Sequence, residues 1–378
     1  MSDAVTPFTL AIPQADLDDL KARLARTRWP EPAVGAAWEQ GVPLTAARAL
    51  IDHWQHHYDW RRCEAALNAV GQFTTEIDGL EIHFLHRRSP EPNALPLVIT
   101  HGWPGSVIEF LKVIGPLTDP VAHGGRAEDA FHVVCPSLPG YGLSERPSDH
   151  WGVPRIAKAW ITLMKRLGYD RFGAQGGDWG SAVTTAIGAS GDPAVAGIHL
   201  NMLSVRPTPE DIANATPAEK AALADLRRHV DQGTGYSKQQ STRPQTLGYG
   251  LTDSPVGQAM WIYEKFREWT DCTGTPENAL TRDEMLDDIT LYWLTATATS
   301  SARLYFESFG AFGKDKVTVP TGVSIFPREI IRPSRRWAER QYTNIIHWNE
   351  LDRGGHFAAL EQPELFVEEV RATFRGIR

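Results

Sequence analysis

Over the first 70 residues the apolar positions recur at helical steps. Leu17, Leu20 and Leu24 lie three and four residues apart within 13–26, and the same spacing continues from Leu44 to Trp60. The prolines of Trp29-Pro30-Glu31-Pro32 place a loop between the two stretches. At Gln72 the period changes. FTTEI (73–77) and LEIHFL (80–85) flank Asp78-Gly79, a two-residue turn that predicts a β-hairpin. PLVIT (96–100), FHVVC (131–135) and RFGAQ (171–175) read as short strands, separated by helical stretches around 108–114 and 156–167. Strand alternating with helix predicts an α/β fold with a mostly parallel sheet and helices on both faces. VAGIHL (195–200) continues that rhythm, which then stops from Arg206 to about Ser301. It resumes at VSIF (323–326), NIIHW (344–348) and a last helix over 363–374. The expected organisation is an N-terminal helical extension (1–70), a sheet core in two parts (71–204 and 305–378), and between them a helical lid (205–304).

Composition narrows the class. Of 378 residues, 42% are hydrophobic and 22% charged, which excludes a disordered chain or a coiled coil. The 38 basic against 46 acidic side chains leave a net charge of −8, so there is no basic footprint for nucleic acid or an anionic membrane. A small-molecule partner is the expectation. Cys63, Cys135 and Cys272 are odd in number and widely spaced, which fits neither a disulfide framework nor a zinc site and points to a reducing, cytoplasmic setting. No run approaches the ~18 apolar residues of a membrane helix, and the N-terminus lacks the pattern of a signal peptide. The 13 tryptophans are a surplus that needs a cause.

The most informative stretch is Gln175-Gly176-Gly177-Asp178-Trp179-Gly180-Ser181, which follows a strand and opens a helix. Small residues two before and two after a polar apex describe a nucleophile elbow, with Asp178 where serine is common. A carboxylate there suits attack on an alkyl carbon, since the resulting ester can be hydrolysed afterwards. By itself the heptapeptide is equally a glycine-rich turn with an N-capping Asp. Two other strand exits favour the elbow. His101-Gly102-Trp103-Pro104-Gly105-Ser106 could present backbone N–H groups as half of an oxyanion hole, and Pro139-Gly140-Tyr141-Gly142 leaves the same sheet edge, where α/β folds bind ligands. In the chain order nucleophile, acid, histidine, the base is His356 in a glycine loop before the last helix. His347 lies inside a strand. The acid is Glu329, directly after VSIFPR; Glu339 falls in a helix, and Asp352 is too near His356 to reach around its ring.

Taken together, His101-Gly102-Trp103-Pro104, Gly177-Asp178-Trp179-Gly180, Asp253-Ser254-Pro255-Val256-Gly257, Phe326-Pro327-Arg328-Glu329 and the run Arg353 to Glu361 resemble the epoxide hydrolases of the α/β-hydrolase superfamily, in the microsomal-type subgroup with an N-terminal helical region. The likeness runs from about Pro7 to the C-terminus. Vertebrate members begin with a membrane anchor, which is lacking here, so the chain resembles the soluble bacterial-type members. The resemblance implies two lid tyrosines that hydrogen-bond the epoxide oxygen. Composition could not choose among Tyr236, Tyr249, Tyr263, Tyr292 and Tyr305; by motif the match falls on Tyr236, in a segment read as loop, and on Tyr305. It further implies that Asp178 opens a hydrophobic epoxide to an ester, that His356 held by Glu329 activates water, and that the N–H groups of Trp103 and Trp179 hold the oxyanion. The product is a vicinal diol, and no metal or organic cofactor is called for. His53 and His57 stand one helical turn apart but lack the Glu of a zinc-protease motif.

Two alternatives are kept. A haloalkane dehalogenase shares the Asp nucleophile and a Trp after it, so Trp179 does not discriminate, whereas the tyrosines do. A non-catalytic binding protein on the same scaffold is the second. Substrate identity, a detoxifying against a secondary-metabolic role, and a homodimer against a monomer are not legible in the sequence. Trp103 and Trp179 are expected beside the nucleophile, and Trp29, Trp54 and Trp60 are expected to pin the N-terminal region to the core.

Overall fold

The hairpin forms around Asp78-Gly79, whose φ values of 52° and 77° supply the left-handed turn that matches the twist of paired strands. In the computed structural model, which describes residues 3–313 and 315–378, this hairpin belongs to a nine-stranded sheet. Its strands are β1 (Thr6–Phe8), β2 (Gln72–Ile77), β3 (Leu80–Arg87), β4 (Leu95–Thr100), β5 (Phe131–Pro136), β6 (Phe172–Gly176), β7 (Val195–Leu200), β8 (Thr321–Ile325) and β9 (Ile345–Glu350). They lie in the order β1-β2-β3-β5-β4-β6-β7-β8-β9. From β5 onward every pairing is parallel, and β1 to β3 and β3 with β5 are antiparallel. The inner strands read as unbroken apolar runs because both faces are covered: Leu97, Val98 and Ile99 are fully buried. Helices Val153–Arg166 and Asp178–Ala189 pack together, as do Leu111–Thr118 and Pro363–Phe374.

Two sequence expectations need correction. The first 70 residues are not wholly helical, since β1 pairs antiparallel with β2 and extends the sheet. Three residues are too few to carry a readable alternation. The helix expected from Leu44 to Trp60 ends at His56, and a second runs from Trp60 to Val70, capped by Asp59, whose side chain accepts the Arg61 N–H. The apolar spacing crosses the break because Tyr58 and Trp60 are buried on either side of it, so only the cap marks the boundary.

Between β7 and β8 the described residues are helical, from Pro209–Ala213 to Ala298–Ser308. Helix Arg282–Leu294 is the junction between this block and the N-terminal region. Trp54 Nε1 donates to Thr290 Oγ1 at 2.9 Å, Tyr58 donates to Asp287 at 2.7 Å, and Arg62 meets the same carboxylate at 2.6 Å. Truncating a side chain as buried as Trp54 to Ala costs about 3–5 kcal/mol. Trp60 is buried too, while Trp29 is half-buried with the Arg48 guanidinium 4.8 Å from its ring. Among the described residues no helix is long and apolar enough to cross a membrane.

Candidate active site

Asp178 follows β6 after the single residue Gly177 and has φ 49°, a left-handed conformation that a non-glycine residue holds only where its surroundings impose it. The neighbours show why this turn takes glycines. A Cβ on Gly176 would stand 2.1 Å from the Gly180 carbonyl oxygen, and one on Gly180 would stand 1.9 Å from that of Thr100. The carboxylate lies against Gly102, where a Cβ would come within 2.2 Å of Oδ1. That approach lets the Trp103 N–H donate to Asp178 Oδ1 at 2.8 Å. No hydrogen bond from the Trp179 N–H to the carboxylate is found among the described residues, although the Trp179 side chain is buried beside it. The loop carrying Trp103 is tied down on both sides. His101 Nδ1 donates to Gly102 O and its Nε2 accepts the Leu138 N–H at 3.1 Å, a pattern that requires the neutral ring which burial enforces by lowering its pKa to about 4. Tyr292 donates to Gly105 O at 2.8 Å, and Ser106 donates to the buried Asp288 at 2.5 Å.

His356 reaches Asp178 from the loop after β9. Its Nε2 is 3.5 Å from Asp178 Oδ2, and its Nδ1 donates to Glu329 Oε1 at 2.7 Å. Glu329 is buried, on the loop after β8, and also accepts the Ile330 N–H. Burial alone would lower the imidazole pKa; the charges of Glu329 and Asp178 overcome it and raise it well above its ordinary value. The rivals lie elsewhere: His347 bonds to Glu369, Glu339 pairs with Arg335, and Asp352 with Arg353. The motif around His356 has a visible structural cause. Glu361 accepts the N–H groups of Asp271 and Phe357, and Asp271 accepts that of Gly354, which closes the loop on itself.

Tyr236 and Tyr305 come together over Asp178, with ring centroids 5.8 Å apart. Trp103 stacks on Tyr236 at 5.0 Å, and Trp179 meets Tyr305 edge-on at 4.8 Å. Burial raises both phenols well above their ordinary pKa and the Asp178 charge adds to it, so both hydroxyls keep their protons. Of the other lid tyrosines, Tyr263 bonds Glu277, Tyr292 bonds Gly105, and Tyr249 is 72% exposed. The segment around Tyr236 is not loop: it is the first turn of helix Gly235–Thr242, entered through a π-turn at His229–Gly233. Its glycines disguised that turn.

Sequence reasoning passed over Trp269 and Lys265. Trp269 ends helix Pro255–Trp269, packs 5.0 Å from the His356 ring and 5.2 Å from Tyr236, and accepts the His356 N–H on its carbonyl. Lys265, 2% exposed, holds its ammonium 4.7 Å from the Tyr236 ring centroid. The available signal was Ser254, whose side chain caps the start of that helix.

Two cavities meet at Asp178. One, of about 210 Å³, is lined by Asp178, Trp179, Met202, Tyr236, Tyr305, Phe309 and Phe312. The other, of about 20 Å³, lies behind it and is lined by Asp178, His356, Glu109, Gln175 and Asn201.

The comparisons with known proteins agree with this geometry. The family description "Epoxide hydrolase N terminus" matches residues 5–110, and "alpha/beta hydrolase fold" matches residues 96–250. A protein of Stigmatella aurantiaca named "Putative epoxide hydrolase" is 57% identical over 99% of this chain and 86% of its own. "Epoxide hydrolase 1" of Sus scrofa is 36% identical over 99% and 89%. The structure of Aspergillus niger epoxide hydrolase superposes with a TM-score of 0.90 at 32% identity, covering 99% of this chain and 97% of that one. Likeness of this extent, on a shared fold, makes the chain a member of the epoxide hydrolase family.

Proposed function

We propose that this epoxide hydrolase converts a hydrophobic epoxide and water to a vicinal diol through a covalent ester on Asp178. One observation carries the reading: a carboxylate and two protonated phenols face the same apolar cavity, while the His356–Glu329 pair stands at the carboxylate's other side. Tyr236 and Tyr305 polarise the epoxide oxygen as Asp178 attacks a ring carbon. The C–O bond breaks, and the oxygen takes a phenol proton instead of leaving as an alkoxide. With Oδ1 held by the Trp103 N–H, Oδ2 is the attacking oxygen. Esterification removes one of the two negative charges that hold the imidazolium, so the His356 pKa falls when a base is needed. His356 then takes a proton from the water that adds to the ester carbonyl, and Trp103 N–H stabilises the oxyanion. Trp179 is proposed as second donor, its N–H turning to the oxyanion as the carbonyl becomes tetrahedral. Collapse releases the diol, and the proton shed as Asp178 regains its charge replaces the one given by the phenol.

A haloalkane dehalogenase would not need the tyrosines, because halide leaves as a stable anion. Diol release from styrene oxide, with no halide released from a bromoalkane, is the expected outcome; the reverse overturns the reading. Three unpaired cysteines, two of them buried, fit a cytoplasmic setting.

A further inference from the structure

We propose that the small rear cavity is the seat of the hydrolytic water and that Glu109, with Gln175, positions it; the inference rests on the covalent reading above. A volume of about 20 Å³ suits one water molecule, which needs ~10–15 Å³ of this measure and two to four polar partners. Its walls supply them. His356, Glu109 and Gln175 all line it. Gln175 is fully buried, its Nε2 donates to Asn201 at 2.7 Å, and its Oε1 has no hydrogen-bond partner among the described residues. An orphaned acceptor in a polar cavity is what a bound water satisfies. The Glu109 carboxyl is seated there by the loop: it rests on Gly105, where a Cβ would come within 1.5 Å of Oε1. Ser106 caps the turn that carries it.

The four valences of the water are thereby assigned. It donates one O–H to His356 Nε2 and the other to Gln175 Oε1, and it accepts from the Glu109 carboxyl. Its remaining lone pair is directed at the Asp178 carbonyl carbon. Burial, reinforced by the nearby Asp288, keeps Glu109 protonated and able to donate. In the step itself the water oxygen bonds to that carbon as His356 takes the proton. The acyl–oxygen bond then breaks, its electron pair goes to the diol oxygen, and His356 returns the proton there. The sequence signal was an acid alone among apolar residues, Val107-Ile108-Glu109-Phe110.

The test is rapid quenching with styrene oxide, counting the alkyl-enzyme ester by intact-protein mass spectrometry. Glu109→Met keeps the length of the side chain and removes its donor, and Gln175→Met removes the acceptor on another wall. Either should form ester within about threefold of the wild-type rate and break it down at least about tenfold more slowly, so ester accumulates. Equal slowing of both steps, as loose packing would give, or unchanged ester decay in the variants, overturns the assignment. His356→Gln separates this inference from its foundation. Ester trapped in His356→Gln but decaying normally in Glu109→Met sinks the water site alone; diol formed with no ester in any variant sinks the covalent mechanism and the water site with it.

Discussion

The two sides of the Asp178 carboxylate differ in size and in the polar groups they offer. In front, a cavity ten times larger than its counterpart is walled largely by apolar side chains, Trp179, Phe309, Phe312 and Met202 among them, and has the Tyr236 and Tyr305 phenols in its lining. Behind it, a space of one water's size has the His356, Glu109 and Gln175 side chains in its lining beside Phe110, Phe357 and Phe366. An apolar chamber lets binding of the epoxide proceed by burial of its surface and reserves its few donors for the oxygen that becomes charged. In the proposed mechanism the smaller chamber holds water where it can meet the ester and not the epoxide. The difference teaches how, in the proposed mechanism, one carboxylate can serve two half-reactions, each of its faces meeting different surroundings.

Variants should therefore sort by side. The largest effect is expected from Asp178→Ala, which removes the atom both chambers share: turnover of styrene oxide should fall by about four orders of magnitude, with no ester detected. Wild-type turnover in that variant would break the scheme outright. Next, His356→Gln should slow hydrolysis by about a thousandfold while ester still forms within about tenfold of the wild-type rate, as burst amplitude would show. Glu329→Gln belongs to the same side, with a loss of about a hundredfold. Glu329 raises the His356 pKa, so neutralising it should move the alkaline-rising limb of the ester-decay profile to lower pH. A limb that stays in place would separate Glu329 from the base. The smallest effects should lie in front. Tyr305→Phe or Tyr236→Phe should slow ester formation by about ten- to a hundredfold each and leave ester decay untouched. Slowed decay in either would erase the division between the chambers.

Much of this arrangement was legible in the chain. Asp178, Glu329 and His356 were picked out by order and by the strand exits they occupy, and the elbow at Asp178 is readable because a Cβ two residues before or after it would clash with backbone. Tyr236 and Tyr305 came from the resemblance alone, since nothing in spacing separates a phenol aimed at a cavity from one aimed at Gly105 O, as Tyr292 is. The strand at Thr6–Phe8 was invisible because its partner, β2, lies more than sixty residues away and only pairing creates it. Trp269 and Glu109 escaped for a related reason. Each faces the site across a helix end or a turn, and a direction in space leaves no periodic trace in sequence. Most of the tryptophan surplus is structural, as Trp54 against Thr290 and Trp160 against Thr100 show, while Trp103, Trp179 and Trp269 frame the reacting groups.

The central claim is that Asp178 itself supplies oxygen to the product. A single turnover of styrene oxide by excess enzyme in heavy-oxygen water tests it most directly. The account predicts that the first diol carries unlabelled oxygen and that the label appears in the Asp178 carboxylate; label in the first diol, with none in the protein, would contradict it.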